Sequence, residues 1–387
     1  MLPTSPYKAL KEQIDAVLEQ CFQEELIAGA VVMVNHDGKT VCFRAYGFAD
    51  PENDVAMQID SLFRLSSVTK VHTSLATAAL IEQGKIALDD PVTKWLPEFT
   101  PKTLDGNTPT ITIRHLLTHT AGLDYKWAQV EDGPYELANV SDGLDISGIT
   151  LEENLKRIAS VPLRFAPGTH WLYSLSPDVL GAVIAKAHGT SLEKAMEDLI
   201  TGPLGMKDSR FVASREDRAR MTVPYFHFYG ELIPMAADQY VENELGWQFL
   251  FSPDRAFDPD AYPSGGVGMI GTAQDVMQLV EAIRTNRMPT VSEELMNTMS
   301  TNILPEGLPE DPSLGYCMGW GIVLDPERAQ LPQSPGTLQG GGVYGHTWFA
   351  DRTRKLSVVI MTTTAVTVRA EHAAAHIRNT IYKNLPE

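Results

Sequence analysis

Length, composition and charge limit what this chain can be. It has 387 residues, 43% of them apolar and 8% aromatic, which is enough for a sizeable core and more than one typical domain needs. The 49 acidic and 31 basic residues give a formal net charge of −18. That charge repels nucleic acid and anionic membranes, so we expect a small-molecule partner and neither of these polyanions.

Cysteine usage and the N-terminus indicate the compartment. Cys21, Cys42 and Cys317 lie far apart and outside any paired-cysteine motif, which argues against a disulfide framework and a thiolate metal site. The N-terminal segment carries Lys8 and Lys11 where a signal peptide needs an apolar stretch, and no run approaches the roughly 18 apolar residues of a membrane helix. We expect a cytoplasmic protein without metal or cofactor, and the sequence leaves its oligomeric state open.

The two ends of the chain are rich in predicted strands. An amphipathic helix over 7–25 precedes two strands, 29–35 and 40–46, around an Asp37-Gly38 turn. Towards the other end, β-rich patterns predict strands over 316–324, 343–350 and 356–362, followed by a final helix over 368–382.

The segment between these ends is predicted to be mostly helical. Helical patterns cover 112–117, 151–158, 177–188, 192–200 and 273–283. We therefore predict an α+β fold, in which an antiparallel sheet built from both chain ends carries flanking helices and an inserted, mostly helical region. The predicted division is 1–65 together with 270–387 for the sheet domain and 66–269 for the helical domain, with the active site at their junction.

Ser67-Val68-Thr69-Lys70 lies at this junction and opens a strongly apolar helix. Residues three apart share a helical face, so the lysine amine can reach the serine hydroxyl and activate it as a nucleophile. The plain alternative is a helix N-cap. The same spacing at Ser191 and Lys194 does read as an ordinary capping box.

Two further segments carry candidate groups. Tyr173 follows a turn and precedes a predicted helix, and its phenol could act as a general base if a neighbouring ammonium such as Lys70 stabilises the phenolate. Gly340-Gly341-Gly342 opens a predicted strand, where a run of glycines indicates close approach of another backbone or a ligand. A strand edge without side chains could also offer a backbone N–H that hydrogen-bonds to a developing oxyanion. Taken singly, a core tyrosine and a plain glycine turn are the simpler interpretations.

In order and spacing these motifs resemble the penicillin-recognising serine hydrolases, and specifically the family VIII carboxylesterases that look like class C β-lactamases. The resemblance extends over nearly the whole chain. Besides 63–70 and the glycine run, it includes Ile111-to-Leu123 with His119-Thr120-Ala121-Gly122, and Pro263-Ser264-Gly265-Gly266-Val267-Gly268-Met269.

The resemblance implies roles for individual residues. Ser67 would be the nucleophile, Lys70 its partner and Tyr173 the general base and later acid, with the backbone N–H groups of Ser67 and Val343 forming the oxyanion hole. The residues it places at the substrate pocket are Tyr125, Asp178, Gly341 and Gly342; for His346, which follows the glycine run, we expect a packing or pocket-wall role.

Two departures from the β-lactamase pattern bear on the substrate. Tyr173-Ser174-Leu175 lacks the asparagine of Tyr-x-Asn, and Gly340 to Gly342 replace Lys-Thr-Gly, which removes a cation that could pair with a drug carboxylate. Both losses favour neutral esters. We expect a serine carboxylesterase for short-chain esters, with weak or absent β-lactamase activity.

Other functions remain as alternatives. The same acyl-serine could serve an acyltransferase, and a catalytically silent scaffold would retain the fold without needing all three catalytic residues. Metal binding by His115 with His119, or by His372 with His376, has no acidic third ligand at metalloprotease spacing. The natural ester, its acyl length and its stereochemistry are not readable from the sequence.

Overall fold

A large antiparallel sheet forms the centre of the computed structural model, which describes residues 6–243, 245–304, 311–365 and 367–386. The strands in the described residues are β1 Gly29–His36, β2 Lys39–Asp50, β3 Val55–Ala56, β4 Phe63–Arg64, β5 Tyr225–Phe228, β6 Glu231–Pro234, β7 Gln239–Glu242, β8 Gln248–Phe251, β9 Ile270–Gly271, β10 Leu314–Tyr316, β11 Gly321–Val323, β12 Leu338–Gly342, β13 His346–Asp351 and β14 Leu356–Thr362. Eight of them form one sheet in the order β10-β11-β12-β13-β14-β1-β2-β3. The sheet therefore joins both ends of the chain.

Helices cover the sheet and form the region inserted between its strands. The described α-helices are α1 Lys8–Gln23, α2 Thr69–Glu82, α3 Ile113–Leu117, α4 Pro134–Leu137, α5 Leu151–Ser160, α6 Ser176–His188, α7 Leu192–Met196, α8 Ala273–Thr285, α9 Glu293–Met299 and α10 Val368–Asn384. α1 and α10 pack together on one face of the sheet, and α8 packs on β13, β14 and β1. Within the inserted region, α6 contacts α2, α3, α5 and α7.

The central strands are apolar on both faces because both faces are covered. β1 pairs antiparallel with β14, with Val32 opposite Ile360. Val31 and Met33 belong to the main core, whereas Val32 and Val34 belong to the core beneath α1 and α10. Alternate residues of a strand point to opposite faces, so one continuous apolar run fills two cores.

The predicted α+β fold is confirmed, and the terminal elements lie close to their predicted positions. The predicted strand over 316–324 is instead two short strands, since Gly319 adopts a φ of +115° between β10 and β11. The predicted strand over 343–350 also begins later than expected, at His346 in β13. The glycine run before it belongs to a strand of its own, β12, and a turn separates the two. The proposed domain boundaries remain a prediction.

Two hairpins that the sequence pattern did not indicate lie in the inserted region. They are β5–β6 and β7–β8, each antiparallel, and their aromatic residues help to build a separate small core with Tyr344. Across the described part of the chain, no helix is both long and apolar enough to cross a membrane.

Candidate active site

Ser67 lies on a tight turn between a short strand and a buried helix. β4 leads into a 3-10 turn over Ser66–Val68, and α2 begins at Thr69. Ser66 has a φ of +43°, a conformation that costs energy in a non-glycine residue and is often found at functional sites. The turn leaves Ser67 half-buried at the mouth of α2, while its neighbours Ser66 and Val68 are buried.

Lys70 is held against the Ser67 hydroxyl. Its Nζ donates to Ser67 Oγ at 3.1 Å and to the carbonyl oxygen of Gly266 at 3.0 Å, and the residue is 2% exposed. The ammonium also lies 4.8 Å from the ring centroid of Tyr173 and 5.4 Å from that of Tyr125. The predicted pairing of Ser67 with Lys70 is therefore present, and Tyr173 is the phenol beside it.

His119 supports Tyr173 from behind. The two rings lie 4.6 Å apart, and His119 Nδ1 accepts a hydrogen bond of 3.1 Å from the Ser174 backbone N–H. Burial, together with the nearby Lys70 ammonium, lowers the pKa of His119 well below its usual value. The neutral imidazole therefore orients the segment that carries Tyr173.

The glycine strand passes directly against the nucleophile turn. A Cβ on Gly342 would lie 2.3 Å from Ser66 Oγ and 2.6 Å from the Leu65 carbonyl oxygen, so a side chain has no room there. The Tyr344 backbone N–H points at Ser66 Oγ from 3.5 Å. Val343 lies between these two contacts, which agrees with its predicted place in the oxyanion hole, although that role stays a prediction.

A buried carboxylate fixes the carbonyl that receives Lys70. Asp178 Oδ1 accepts from Ser264 Oγ at 2.6 Å and from the Gly266 backbone N–H at 3.0 Å. Asp178 is fully buried, and burial raises the pKa of its carboxyl, with both hydrogen bonds opposing the rise. The structure thus places this predicted pocket residue one step behind Lys70.

Tyr125 and His346 are also buried at the site. Tyr125 is 1% exposed and stacks on Trp127 with ring centroids 4.8 Å apart. His346 Nε2 lies 2.9 Å from the carbonyl oxygen of Arg64, and burial lowers the pKa of His346 to about 4. A neutral His346 therefore donates this hydrogen bond and joins β13 to β4, the strand that leads into the nucleophile turn, which is the packing role expected for it.

A cavity of about 420 Å³ opens at Ser67. Of the predicted site residues, Ser67, Lys70, Tyr173 and Gly341 line it. The remaining lining residues were not singled out from the sequence or appeared only within longer motifs: Val71, Tyr316, Gly319, Trp320, Gly321, Gln339, Gly340, Thr347 and Trp348. Among these described residues Lys70 carries the single charge, and four aromatic rings, those of Tyr173, Tyr316, Trp320 and Trp348, form much of the wall.

Comparison with known proteins places this site in a family. The family model described as Beta-lactamase matches residues 14–381. The chain belongs to the beta-lactamase family. The predicted resemblance to penicillin-recognising serine hydrolases is thereby confirmed at the level of the family.

Among relatives of this beta-lactamase family member, esterase EstB of Burkholderia gladioli is 42% identical over 380 residues, covering 97% of this chain and 95% of that protein. The solved structure of EstCE1, described as a hydrolase with promiscuous acyltransferase activity, is 37% identical with a TM-score of 0.93, covering 97% of this chain and 99% of that one. A class C beta-lactamase matches at 17% identity and a TM-score of 0.71, covering 98% and 97%, and supports the fold alone.

Proposed function

We propose that this protein is a serine carboxylesterase that hydrolyses short-chain esters through an acyl-serine intermediate. The observation that carries the proposal is the 3.1 Å hydrogen bond between Lys70 Nζ and Ser67 Oγ, in a cavity that also presents the Tyr173 phenol. The names of the two most similar relatives described above, an esterase and a hydrolase, support the same class of reaction.

In the proposed reaction, Ser67 Oγ attacks the ester carbonyl carbon while its proton passes to the Tyr173 phenolate. The Lys70 ammonium lies 4.8 Å from the centroid of that ring, and the backbone N–H groups of Ser67 and Val343 would stabilise the oxyanion. Collapse of the tetrahedral intermediate breaks the bond to the alkoxy oxygen, which takes the proton from Tyr173 and leaves as the alcohol. Water then attacks the acyl-serine by the same steps, with Tyr173 again as base, and releases the acid.

The charge distribution of the cavity supports neutral esters as substrates. Lys70 is already hydrogen-bonded to Ser67 and Gly266, so the lining residues offer no free cation for a substrate carboxylate. Gly340 cannot be replaced by a larger residue without displacing Trp348, because a Cβ there would lie 2.8 Å from the indole nitrogen. An aromatic ring thus takes the space beside the glycine strand.

A comparison of substrates tests this proposal. We expect kcat/KM for p-nitrophenyl butyrate to exceed that for a chromogenic cephalosporin by on the order of 100-fold or more. Equal values for the two substrates would contradict the assignment to neutral esters. Turnover of the cephalosporin alone would make the protein a β-lactamase instead.

Acyl transfer to an alcohol is a second candidate function. It is favoured by the acyltransferase activity in the description of EstCE1 and by the aromatic wall of the cavity, which suits an apolar acceptor. Adding 1-butanol to the butyrate assay would then yield butyl butyrate at the expense of butyric acid. Butyric acid as the sole product at every alcohol concentration would exclude this activity.

We also propose that the protein resides in the cytoplasm. Cys21, Cys42 and Cys317 are free and buried, which is compatible with a reducing compartment. Fractionation of the natural host with an antibody against the protein would test this, and recovery from outside the cytoplasm would contradict it.

A further inference from the structure

A second, much smaller cavity lies beside the nucleophile turn and is lined by two arginines. Arg64, three residues before Ser67, and Arg255 both line it, together with Tyr344. Its volume is about 20 Å³. That is room for one water molecule or one monatomic ion, and too little for a polyatomic oxyanion such as sulfate.

Neither guanidinium at this cavity forms an ion pair with a described carboxylate. Arg64 Nε and Nη1 donate to the carbonyl oxygens of Pro253 and Thr222, each at 2.7 Å, and Arg255 Nη2 donates to the carbonyl oxygen of Tyr262. These acceptors are uncharged. Asp254 acts on Arg64, and Asp178 on Arg255, electrostatically from beyond ion-pair distance, and no described carboxylate lies within 4.0 Å of either arginine.

The burial of Arg255 makes this arrangement costly. The residue is 7% exposed, and its Nε is buried without a hydrogen-bond partner in the described part of the chain. Guanidinium groups remain protonated in proteins, so two positive charges face one small space. An unpaired buried donor and an uncompensated buried charge each destabilise a fold unless a counter-charge lies nearby.

Tyr344 adds a third donor at the same cavity. Burial raises the pKa of its phenol to about 12, although both arginines oppose that rise, so the hydroxyl stays protonated at neutral pH. No described residue accepts a hydrogen bond from it. Two guanidinium groups and one phenol hydroxyl thus line a cavity whose other lining residues are uncharged and mostly apolar, a combination that suits a small anion.

We propose that this cavity is a binding site for one small monovalent anion, chloride in ordinary buffers, held by Arg64, Arg255 and the Tyr344 hydroxyl. Two of these residues flank the catalytic segments, since Arg64 precedes Ser67 by three residues and Tyr344 follows Val343. The ion therefore offsets one of the two positive charges, and it ties β4, the strand that leads into the nucleophile turn, to the turn that follows the glycine run. This proposal does not depend on the identity of the substrate.

Bromide is the probe for the site, because it resembles chloride in size and charge and its anomalous scattering identifies it in a crystal. We expect an anomalous peak between Arg64 and Arg255 in crystals of the natural protein grown with sodium bromide. In solution, Tm should be higher by about 2–4 °C in chloride or bromide than in gluconate at equal ionic strength, because gluconate is too large to enter.

Arg255→Met tests the site directly, and Arg215→Met is its control because Arg215 is exposed and lines no part of this cavity. The difference in Tm between chloride and gluconate should disappear in Arg255→Met and persist in Arg215→Met. If Arg255→Met does not fold, Tyr344→Phe removes one donor and keeps the ring that lies 4.8 Å from Phe251, and the difference should shrink.

Three results would overturn the proposal. One is the absence of a bromide peak at the cavity together with equal Tm values in chloride and gluconate, which would leave a water molecule as its occupant. Another is a peak that persists in Arg255→Met. The third is the same anion dependence in the natural protein, Arg255→Met and Tyr344→Phe, which would indicate a general salt effect.

Discussion

Replacing Asp178 tests whether this carboxylate contacts the substrate or positions Lys70. Asp178→Ala removes the acceptor of two hydrogen bonds, from Ser264 Oγ and from the Gly266 backbone N–H. A hydrogen bond to a charged group contributes about 1.5–3 kcal/mol, so the variant should lose about 3–6 kcal/mol of unfolding free energy. Asp178→Asn keeps an oxygen acceptor and should recover much of that loss.

The kinetic effect of Asp178→Ala follows from the position of Gly266. Its carbonyl oxygen accepts from Lys70 Nζ at 3.0 Å, so movement of this turn displaces the amine from Ser67. A misplacement of about 1 Å can cost on the order of 100-fold in rate, and we expect kcat to fall by that factor. KM should change little, because Asp178 does not line the cavity.

Asp275→Ala is a matched control. Asp275 is also buried and also accepts from one serine hydroxyl and one backbone N–H, those of Ser209 and Asp208, but it has no contact with Lys70 or Gly266. The assays are urea unfolding and steady-state hydrolysis of p-nitrophenyl butyrate. A raised KM with unchanged kcat in Asp178→Ala would refute the positioning role, as would an equal loss of kcat in Asp275→Ala.

Two further predictions concern backbone contact and pH. Gly342→Ala should abolish most turnover, because its Cβ would lie 2.3 Å from Ser66 Oγ. Gly321→Ala is the control and should retain turnover, because the nearest atom to its Cβ would be 3.4 Å away. Equal activity of the two variants would contradict the prediction and show that the nucleophile turn can move freely. His72 is fully buried, and burial lowers its pKa to about 4, below the value of about 6.5 in the unfolded chain. Between these values the unfolded chain binds a proton that the folded protein does not, so His72 contributes a loss of stability as the pH falls from about 6.5 to about 4. His72→Met should therefore make Tm less sensitive to acid in that window, and parallel Tm curves for the two proteins would contradict this.

Local patterns account for what could be predicted from the sequence. The amphipathic spacing of α1 and the apolar runs of β1 and β14 are patterns among residues that are close together in the sequence. These three elements therefore lie near their predicted positions. The pairing of Ser67 with Lys70 is likewise local, because a separation of three residues places both side chains on the same face of a helix.

The parts that escaped prediction depend on contacts between distant segments. Gly266 is 196 residues from Lys70 and 88 from Asp178, and no periodicity connects them. Glycines are poor strand formers, yet Gly340–Gly342 form β12 because β13 pairs along its length. The aromatic wall residues Tyr316 and Trp320 lie on either side of a break in a predicted strand, where no local signal marks them as cavity residues.

The central claim is that Ser67 forms an acyl-enzyme with a carboxylic ester. The most direct test is intact mass spectrometry after brief mixing with p-nitrophenyl butyrate, with release of nitrophenol followed in parallel, for the natural protein and for Ser67→Ala. We expect a butyryl adduct and turnover in the natural protein, and neither in the variant. An adduct and turnover that persist in Ser67→Ala would show that another residue is the nucleophile and would contradict the mechanism.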